Sequence, residues 1–187
     1  MTIRKAFSYE SKEVAPLLLL AMEDIVYDFI GVNSKSKALS FLDSMIKDSN
    51  NQYSYENCYV VESKSKIVAA AVVYKGDDLH KLRKPVATRI KDMFGKEFFP
   101  EDEAEDGEFY IDSVGVDEAI QGKGIGSKLF KFLIDEYVHR RNETLGLLVD
   151  KNNPNAKMLY LNIGFKPVGE KSIGGKFLEH LQYSKEN

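Results

Sequence analysis

The sequence predicts an α/β (α+β) fold for a single domain of residues 1–187. Three observations carry this prediction. Two apolar runs at residues 58–62 and 67–74, separated by a short polar turn, indicate an antiparallel hairpin. A β-branched and aromatic run precedes a glycine-rich turn at residues 121–126 and a run of apolar residues at helical spacing, which indicates a strand–turn–helix unit. No internal repeat, linker or low-complexity segment divides the chain.

The first half of the chain supplies a strand, two helices and the hairpin. Ser11 is the predicted cap of the first helix and Gly31 its predicted end, because serine accepts bonds from the first helical N–H groups and glycine adopts the left-handed conformation. The predicted elements are a strand at 2–7, helices at 11–30 and 36–46, and strands at 58–62 and 67–74. A basic amphipathic stretch at 80–94, with Pro85 inside it, receives no assigned role.

The second half alternates strands and helices and ends in a second antiparallel hairpin. Its predicted elements are a strand at 109–116, a helix at 127–137, a strand at 145–150, a helix from Pro154 to Gly164, and strands at 165–168 and 176–183 around Gly174 and Gly175. An acidic run at 101–108 precedes them. We interpret this run either as a solvated loop or as the flank of a site for a cationic substrate.

Composition excludes several classes of protein. The net charge of −3 gives no support for a nucleic-acid partner, which needs a basic face. Cys58 is the one cysteine, so no internal disulfide is expected, and we predict a buried thiol in a cytoplasmic protein. The apolar stretch at 14–30 is interrupted by Glu23, Asp24 and Asp28, and the N-terminus lacks a signal-peptide pattern. We therefore expect no membrane partner.

The turn at residues 121–126 is the most informative feature of the sequence. Glycines let the backbone approach a ligand closely, and the first N–H groups of a helix have no internal partner, so this arrangement is typical of a pyrophosphate site. Ser127 stands where the P-loop and the dinucleotide motifs each require glycine. A third pattern, [QR]-x-x-G-x-[GA], is satisfied by Gln121, Gly124 and Gly126.

This turn and a second motif together resemble the GNAT superfamily, the acetyl-CoA-dependent N-acetyltransferases. The second motif, at residues 153–165, is similar to the family signature N-x-x-A-x-x-L-Y-x-x-x-G-F, and one strand separates it from the turn. The resemblance is firm over residues 108–168. It implies a mixed, mostly antiparallel central sheet flanked by helices, with a splayed and bulged strand at 109–116.

The resemblance implies acetyl-CoA as cosubstrate and no metal. The backbone of the splayed strand would pair with the acyl-carrying arm, one of its N–H groups would polarise the thioester carbonyl, and the turn would hold the pyrophosphate. The implied cofactor-binding residues are Val114, Gly115, Val116, Gln121, Gly122, Lys123, Gly124, Ile125, Gly126, Ser127, Lys128, Asn153 and Asn155. Lys123 is equally well interpreted as a solvated lysine, and Asn153 or Asn155 as a helix cap.

Three residues are implied in catalysis. Tyr160 is the predicted acid, because coenzyme A leaves as a thiolate that a phenol can protonate; a core tyrosine is the alternative. Asp112 and Glu108 are the predicted bases for the acceptor amine, because strand alternation places both on the face of Tyr110. Pairing with a basic group is the alternative for Asp112. We interpret His180 as structural rather than catalytic, and we find no cluster with metal-ligand spacing.

The predicted function is transfer of an acetyl group from acetyl-CoA to a primary amine by direct attack in a ternary complex. The acidic run favours a cationic acceptor, either a small molecule or a peptide. Asp24, Tyr27 and Asp28 can line its side of the site, and they are equally well interpreted as the polar face of a helix. Two alternatives stay open: a non-catalytic regulatory module that binds acyl-CoA, and a nucleotide enzyme that uses the same turn for phosphate. A homodimer is also open, because no residue decides the oligomeric state.

Overall fold

The computed structural model describes residues 1–185, which form a seven-stranded mixed sheet with helices along it. The strands are β1 (Thr2–Lys5), β2 (Cys58–Ser63), β3 (Lys66–Lys75), β4 (Phe109–Val116), β5 (Leu145–Asp150), β6 (Lys166–Ile173) and β7 (Lys176–Tyr183). The α-helices are α1 (Ser11–Ile30), α2 (Lys35–Lys47), α3 (Leu79–Phe94), α4 (Ile125–Leu133) and α5 (Pro154–Ile163). The strand order is β1-β2-β3-β4-β5-β7-β6. The predicted fold class is confirmed.

The chain divides into two compact units. The first unit contains Met1–Val73, His80–Phe99 and Ser113–Gly126, and the second contains Tyr74–Leu79, Pro100–Asp112 and the residues from Ser127 onward. Strand β4 contributes its first four residues to the second unit and its last four to the first. The organisation of the whole chain as one domain stays a prediction.

The first unit packs α1 and α2 over an apolar core. Leu18, Val26 and Phe41 are almost fully buried there. Helix α1 ends as predicted at Gly31, which adopts a φ of +69° and donates its N–H to the Tyr27 carbonyl. The prediction that Ser11 caps α1 is wrong. Ser11 is the first helical residue, and its hydroxyl donates to Asp43 in α2 over 2.6 Å instead.

The remaining elements of the first unit follow the predicted pattern. Strands β2 and β3 form the antiparallel hairpin, and Cys58 is buried with its Sγ 3.6 Å from the Tyr53 carbonyl oxygen. The basic stretch forms helix α3 with Pro85 inside it, and Arg89 of this helix forms an ion pair with Asp48 over 2.6 Å. The buried thiol is therefore confirmed, and the unassigned stretch is a helix.

The second unit contains the antiparallel strands β5, β7 and β6 together with the first residues of β4. Gly174 and Gly175 form the turn of the β6–β7 hairpin with φ values of +56° and +74°. Strand β6 extends to Ile173, beyond the predicted end at residue 168. The polar run after Val168 hides it from pattern analysis, because β6 is an exposed edge strand without an apolar face.

Helices α4 and α5 supply apolar groups to the second unit. Leu129 and Leu133 of α4 are fully buried, and the Phe130 ring lies 6.2 Å from the Phe165 ring. The helix predicted at 127–137 is instead α4 followed by a π-helical segment, Ile134–Arg140. Across residues 1–185, no helix has both the length and the apolar character that crossing a bilayer requires.

Candidate active site

The glycine turn lies in the first unit between the end of β4 and the start of α4. Gly122 and Gly124 have φ values of +75° and +74°, a region that only glycine adopts readily. Residues 121–124 are exposed, and a Cβ at either glycine would meet no atom within 4 Å. Backbone conformation rather than crowding therefore requires glycine here. The Gln121 N–H donates to the Glu118 carbonyl oxygen over 3.4 Å, whereas the first N–H groups of helix α4 have no partner within the helix.

The side chains around the turn brace its backbone. Gln121 Nε2 donates to the Val116 carbonyl oxygen over 3.1 Å, and Lys123 Nζ lies 3.5 Å from the Ala119 carbonyl oxygen. The Asp117 N–H donates to the Val68 carbonyl oxygen over 2.9 Å and fixes the end of β4. The glutamine of the [QR]-x-x-G-x-[GA] pattern thus has a local structural contact of its own, with the end of β4.

The three predicted cofactor residues of β4 also belong to the first unit. Val114 and Val116 are half-buried. A Cβ at Gly115 would lie 1.8 Å from the Leu17 carbonyl oxygen of α1. Close approach of this helix backbone therefore gives a packing reason for glycine at position 115.

Strands β4 and β5 pair only briefly in the second unit. Phe109 pairs with Leu145 and Tyr110 with Gly146, both in parallel. Ile111 continues β4 and Leu147 continues β5, yet among the described residues the register does not extend to them. The two strands thus part after Tyr110, which agrees with the expected splayed strand.

Helix α5 of the second unit carries Tyr160. Asn153 caps this helix by accepting the Ala156 N–H over 3.1 Å, while Asn155 is exposed. The Tyr160 ring lies 5.1 Å from the Phe130 ring and is half-buried. This burial raises the pKa of Tyr160, so its phenol stays protonated at neutral pH. Ser127 and Lys128, in α4, are half-buried and exposed respectively.

Asp112 shares its face of β4 with Tyr110, as strand alternation predicts. Tyr74 of β3 joins the two: its ring lies 5.8 Å from the Tyr110 ring, and its hydroxyl lies 3.2 Å from Asp112 Oδ1. The same hydroxyl donates to Glu103 Oε1 over 2.8 Å. Burial, and then the negative charges of Asp112, Glu103 and Glu108, hold the pKa of Tyr110 well above its usual range.

Glu108, immediately before β4, is a buried carboxylate with three donors. His180 Nε2 and Gln182 Nε2 donate to Oε2 over 2.8 and 2.7 Å, and the Glu105 N–H donates to Oε1 over 3.0 Å. Burial raises the pKa of Glu108, but these hydrogen bonds outweigh it and leave the pKa below its ordinary value of 4.5. Glu108 is therefore ionised at neutral pH and already accepts three hydrogen bonds from the protein.

The acidic run at 101–108 is largely bound by the second unit itself. Lys171 Nζ of β6 forms an ion pair with Glu105 Oε1 over 2.8 Å and contacts the Asp102 and Ala104 carbonyl oxygens. Glu101 accepts the Gly174 N–H over 3.3 Å. The run is thus an anchored loop, and its attraction for a cationic substrate stays a prediction.

Comparison with protein-family models identifies the family of this chain. The profile described as the acetyltransferase (GNAT) family matches residues 27–165, more than half of the chain. The chain belongs to the GNAT acetyltransferase family. The matched region includes β4, the glycine turn and the tyrosine helix α5.

Known relatives of this GNAT chain agree with the assignment. It is 33% identical over 87 residues to the spermine/spermidine N(1)-acetyltransferase of Bacillus subtilis, covering 45% of the chain and 56% of that protein. It is 39% identical over 62 residues to the N-alpha-acetyltransferase RimI of Mycobacterium tuberculosis, covering 33% of the chain and 37% of that protein. The matched segments thus span about half or less of these curated relatives. A crystal structure of an acetyltransferase superposes with a TM-score of 0.83 at 29% identity, covering 100% of both chains.

Sequence reasoning did not find three residues that organise this GNAT site: Tyr74, Gly146 and Gln182. Tyr74 reaches Asp112 from another strand, and Gln182 reaches Glu108 across 74 positions of sequence. Strand alternation puts His180 and Gln182 on one face of β7. It is the one sequence signal that could have linked Gln182 to His180. Within residues 1–185, no group of three or more His, Cys, Asp or Glu side chains is arranged to hold a metal ion.

Proposed function

We propose that the protein is an N-acetyltransferase that moves an acetyl group from acetyl-CoA to a primary amine by direct attack in a ternary complex. The observation that carries the proposal is the exposed turn at the start of α4, where Gly122 and Gly124 hold left-handed backbone conformations in a GNAT chain. Such a turn offers unpaired N–H groups to a pyrophosphate. The second support is helix α5, which carries Tyr160 and lies within the residues that match the GNAT family.

Acetyl-CoA would bind through the residues predicted from the sequence. Residues 121–126 would bind the phosphates through backbone N–H groups, with Ser127 and Lys128 of α4 beside them. The backbone of Val114, Gly115 and Val116 would bind the acyl-carrying arm and polarise the thioester carbonyl. Asn155 remains available for the coenzyme arm, whereas the Asn153 side chain already caps α5.

Tyr160 would protonate the departing thiolate. Its phenol is protonated at neutral pH, so it carries the proton that it would give, although its raised pKa makes it a weaker acid than an ordinary tyrosine. Its ring packs against the Phe130 ring of α4 at 5.1 Å. This packing favours a proton donor of fixed direction.

Asp112 would accept the proton of the acceptor amine, directly or through water. A lysine-like amine lies about 3 pKa units above neutrality, so its deprotonation costs about 4 kcal/mol that a base must help to offset. Asp112 is half-buried, and its carboxylate lies 3.2 Å from the Tyr74 hydroxyl, which donates to Glu103. Glu108 is the second predicted base.

The acceptor would be a cationic amine, either a polyamine or an amino group of a peptide. Of the two curated relatives, one is named for acetylation of spermine and spermidine and the other for N-alpha-acetylation. Asp24, Tyr27 and Asp28, predicted to line the acceptor side, border a cavity of about 460 Å³ in the first unit, together with Lys96. We also propose a cytoplasmic location.

Calorimetric titration with acetyl-CoA, free CoA and ATP with magnesium tests the proposal first. We expect micromolar binding of acetyl-CoA that Gly124→Val abolishes. Gly95→Val is the matched control, because Gly95 has a similar φ of +67° and open surroundings but lies far along the chain from the turn. Preference for ATP would instead support the nucleotide enzyme.

An amine screen then separates an enzyme from a binding module. Acetylation of spermidine or of a peptide N-terminus, lost in Tyr160→Phe, would support the full proposal. Tight acetyl-CoA binding without acetylation of any amine would favour the regulatory module.

A further inference from the structure

Glu108 crosses strand β5 to reach β7. Its two hydrogen-bond partners His180 and Gln182 both lie on β7, although β5 stands between β4 and β7 in the sheet. The crossing is possible because residue 146 of β5 is glycine. A Cβ at Gly146 would lie 1.8 Å from Glu108 Oε2 and 2.2 Å from its carboxyl carbon. The carboxylate therefore occupies the space that any other side chain at 146 would fill.

The crossing lies where β4 and β5 part. Gly146 pairs with Tyr110 of β4 on one side and with Gln182 of β7 on the other. Tyr110 is also the last residue of β4 that pairs with β5. Glu108 therefore ties the base of β4 to β7 at the last rung before the two strands separate.

We propose that Glu108 is a positioning residue: with His180, Gln182 and Gly146 it forms a clamp that fixes the direction in which β4 leaves β5. The inference rests on the proposed function, in which the backbone of β4 beyond this point polarises the thioester. A small change in the direction of β4 would move that N–H group relative to the carbonyl oxygen. Misplacement by about 1 Å can cost on the order of 100-fold in rate.

The same contacts argue against Glu108 as the base. Its side chain is almost fully buried, and its oxygens accept bonds from two side chains and one backbone N–H. A carboxylate only accepts, so His180 holds its proton on Nε2 and points it at Glu108. A proton acceptor needs an open path to the amine. The donors already occupy both carboxylate oxygens of Glu108, and its burial leaves it little access to a substrate.

A double-mutant cycle tests the geometry of the clamp by thermal unfolding and needs no activity. Gly146→Ala should lower the melting temperature by about 5 °C or more, because its methyl group displaces the carboxylate. The same change in a Glu108→Ala background should shift the temperature by at most about 1 °C, since the clash is gone. Gly169→Ala is the matched control on β6, where a Cβ would meet no atom within 4 Å. Equal losses in both backgrounds would overturn the clamp.

Kinetics test whether the clamp positions the reaction. Glu108→Ala should lower kcat about 10- to 100-fold while KM for acetyl-CoA changes less than about threefold, because the turn that holds the phosphates is untouched. His180→Gln keeps a donor and should stay within about threefold of wild type, whereas His180→Leu should follow Glu108→Ala. Glu170→Gln, at an exposed ion pair with Lys151, is the control for loss of a carboxylate.

The pH profile separates positioning from proton transfer. A lost base is compensated at high pH, where the amine is already neutral, so a deficit that disappears above about pH 10 would make Glu108 the base and overturn the inference. A deficit that is constant with pH supports the clamp. If wild type binds acetyl-CoA but acetylates no amine, the proposed function fails by itself. Hydrogen exchange of the Phe109–Val116 amides then decides, since Glu108→Ala must accelerate it if the clamp orders β4.

Discussion

Residues 121–124 of the turn are exposed and offer backbone N–H groups, whereas Glu108 is buried and binds through its side chain. The turn owes its shape to two left-handed glycines a few positions apart. The clamp owes its shape to partners 72 and 74 positions away. We therefore expect the turn to tolerate changes of side chain and to be sensitive to backbone conformation. We expect the clamp to be sensitive to changes of side chain. Each of the following experiments tests one side of this contrast.

The largest effect is expected where a side chain performs chemistry. Tyr160→Phe should lower kcat about 100-fold or more, which corresponds to about 2.7 kcal/mol, because the thiolate loses its proton donor. The KM for acetyl-CoA should change little. Steady-state kinetics with spermidine or a peptide amine measure both constants. Phe130→Leu, which removes the ring packed against Tyr160, is the control for simple repacking. An equal loss in the two variants would show that Tyr160 is a packing residue.

Asp112→Asn should have the next largest effect. Loss of the proton acceptor should lower kcat about 10- to 100-fold at neutral pH and less at high pH, where the amine deprotonates without help. The measurement is the pH profile of kcat for both proteins. Tyr74→Phe keeps the carboxylate but removes the hydroxyl 3.2 Å from it, so we expect a smaller loss with an unchanged profile. Identical profiles for wild type and Asp112→Asn would exclude Asp112 as the base.

The contrast between turn and clamp also explains what the sequence could predict. The hairpins, the end of α1 at Gly31 and the helix at Pro154 were predicted correctly, because each depends on neighbouring residues. The glycine turn was found for the same reason. Tyr74, Gly146 and Gln182 were missed because their importance arises only when separate strands align. Ser11 shows the limit even of local rules, since a tertiary bond to Asp43 replaces the predicted cap.

Acid should destabilise wild type, in which Glu108 is ionised, more than the Glu108→Gln variant, in which residue 108 is neutral. The pKa of Glu108 lies below its ordinary value of 4.5, so the ionised carboxylate stabilises the folded state above that value. This stability is lost as the pH falls through the lowered pKa. The free energy of unfolding of wild type should fall below about pH 4.5, and protonation of Glu108 contributes at most about 1.4 kcal/mol per pH unit to that slope.

Glu108→Gln, which cannot titrate, should show a shallower slope in urea unfolding over the same range. Glu10, whose pKa Arg4 also lowers, is present in both proteins, so the difference between them isolates Glu108. Glu170→Gln should follow wild type. Parallel slopes for wild type and Glu108→Gln would show that the buried carboxylate contributes nothing to acid sensitivity.

The smallest effect should come from the lysine inside the turn. Lys123 is exposed, and its ammonium rests 3.5 Å from the Ala119 carbonyl oxygen. If backbone N–H groups bind the pyrophosphate, Lys123→Ala should weaken acetyl-CoA binding only about two- to fivefold, with a smaller effect at high salt. Calorimetry at two ionic strengths measures this. A loss as large as that of Gly124→Val would mean that the turn binds through a side chain. The contrast between the turn and the clamp would then fail, because the charge of the lysine side chain, rather than the backbone N–H groups of the turn, would bind the pyrophosphate.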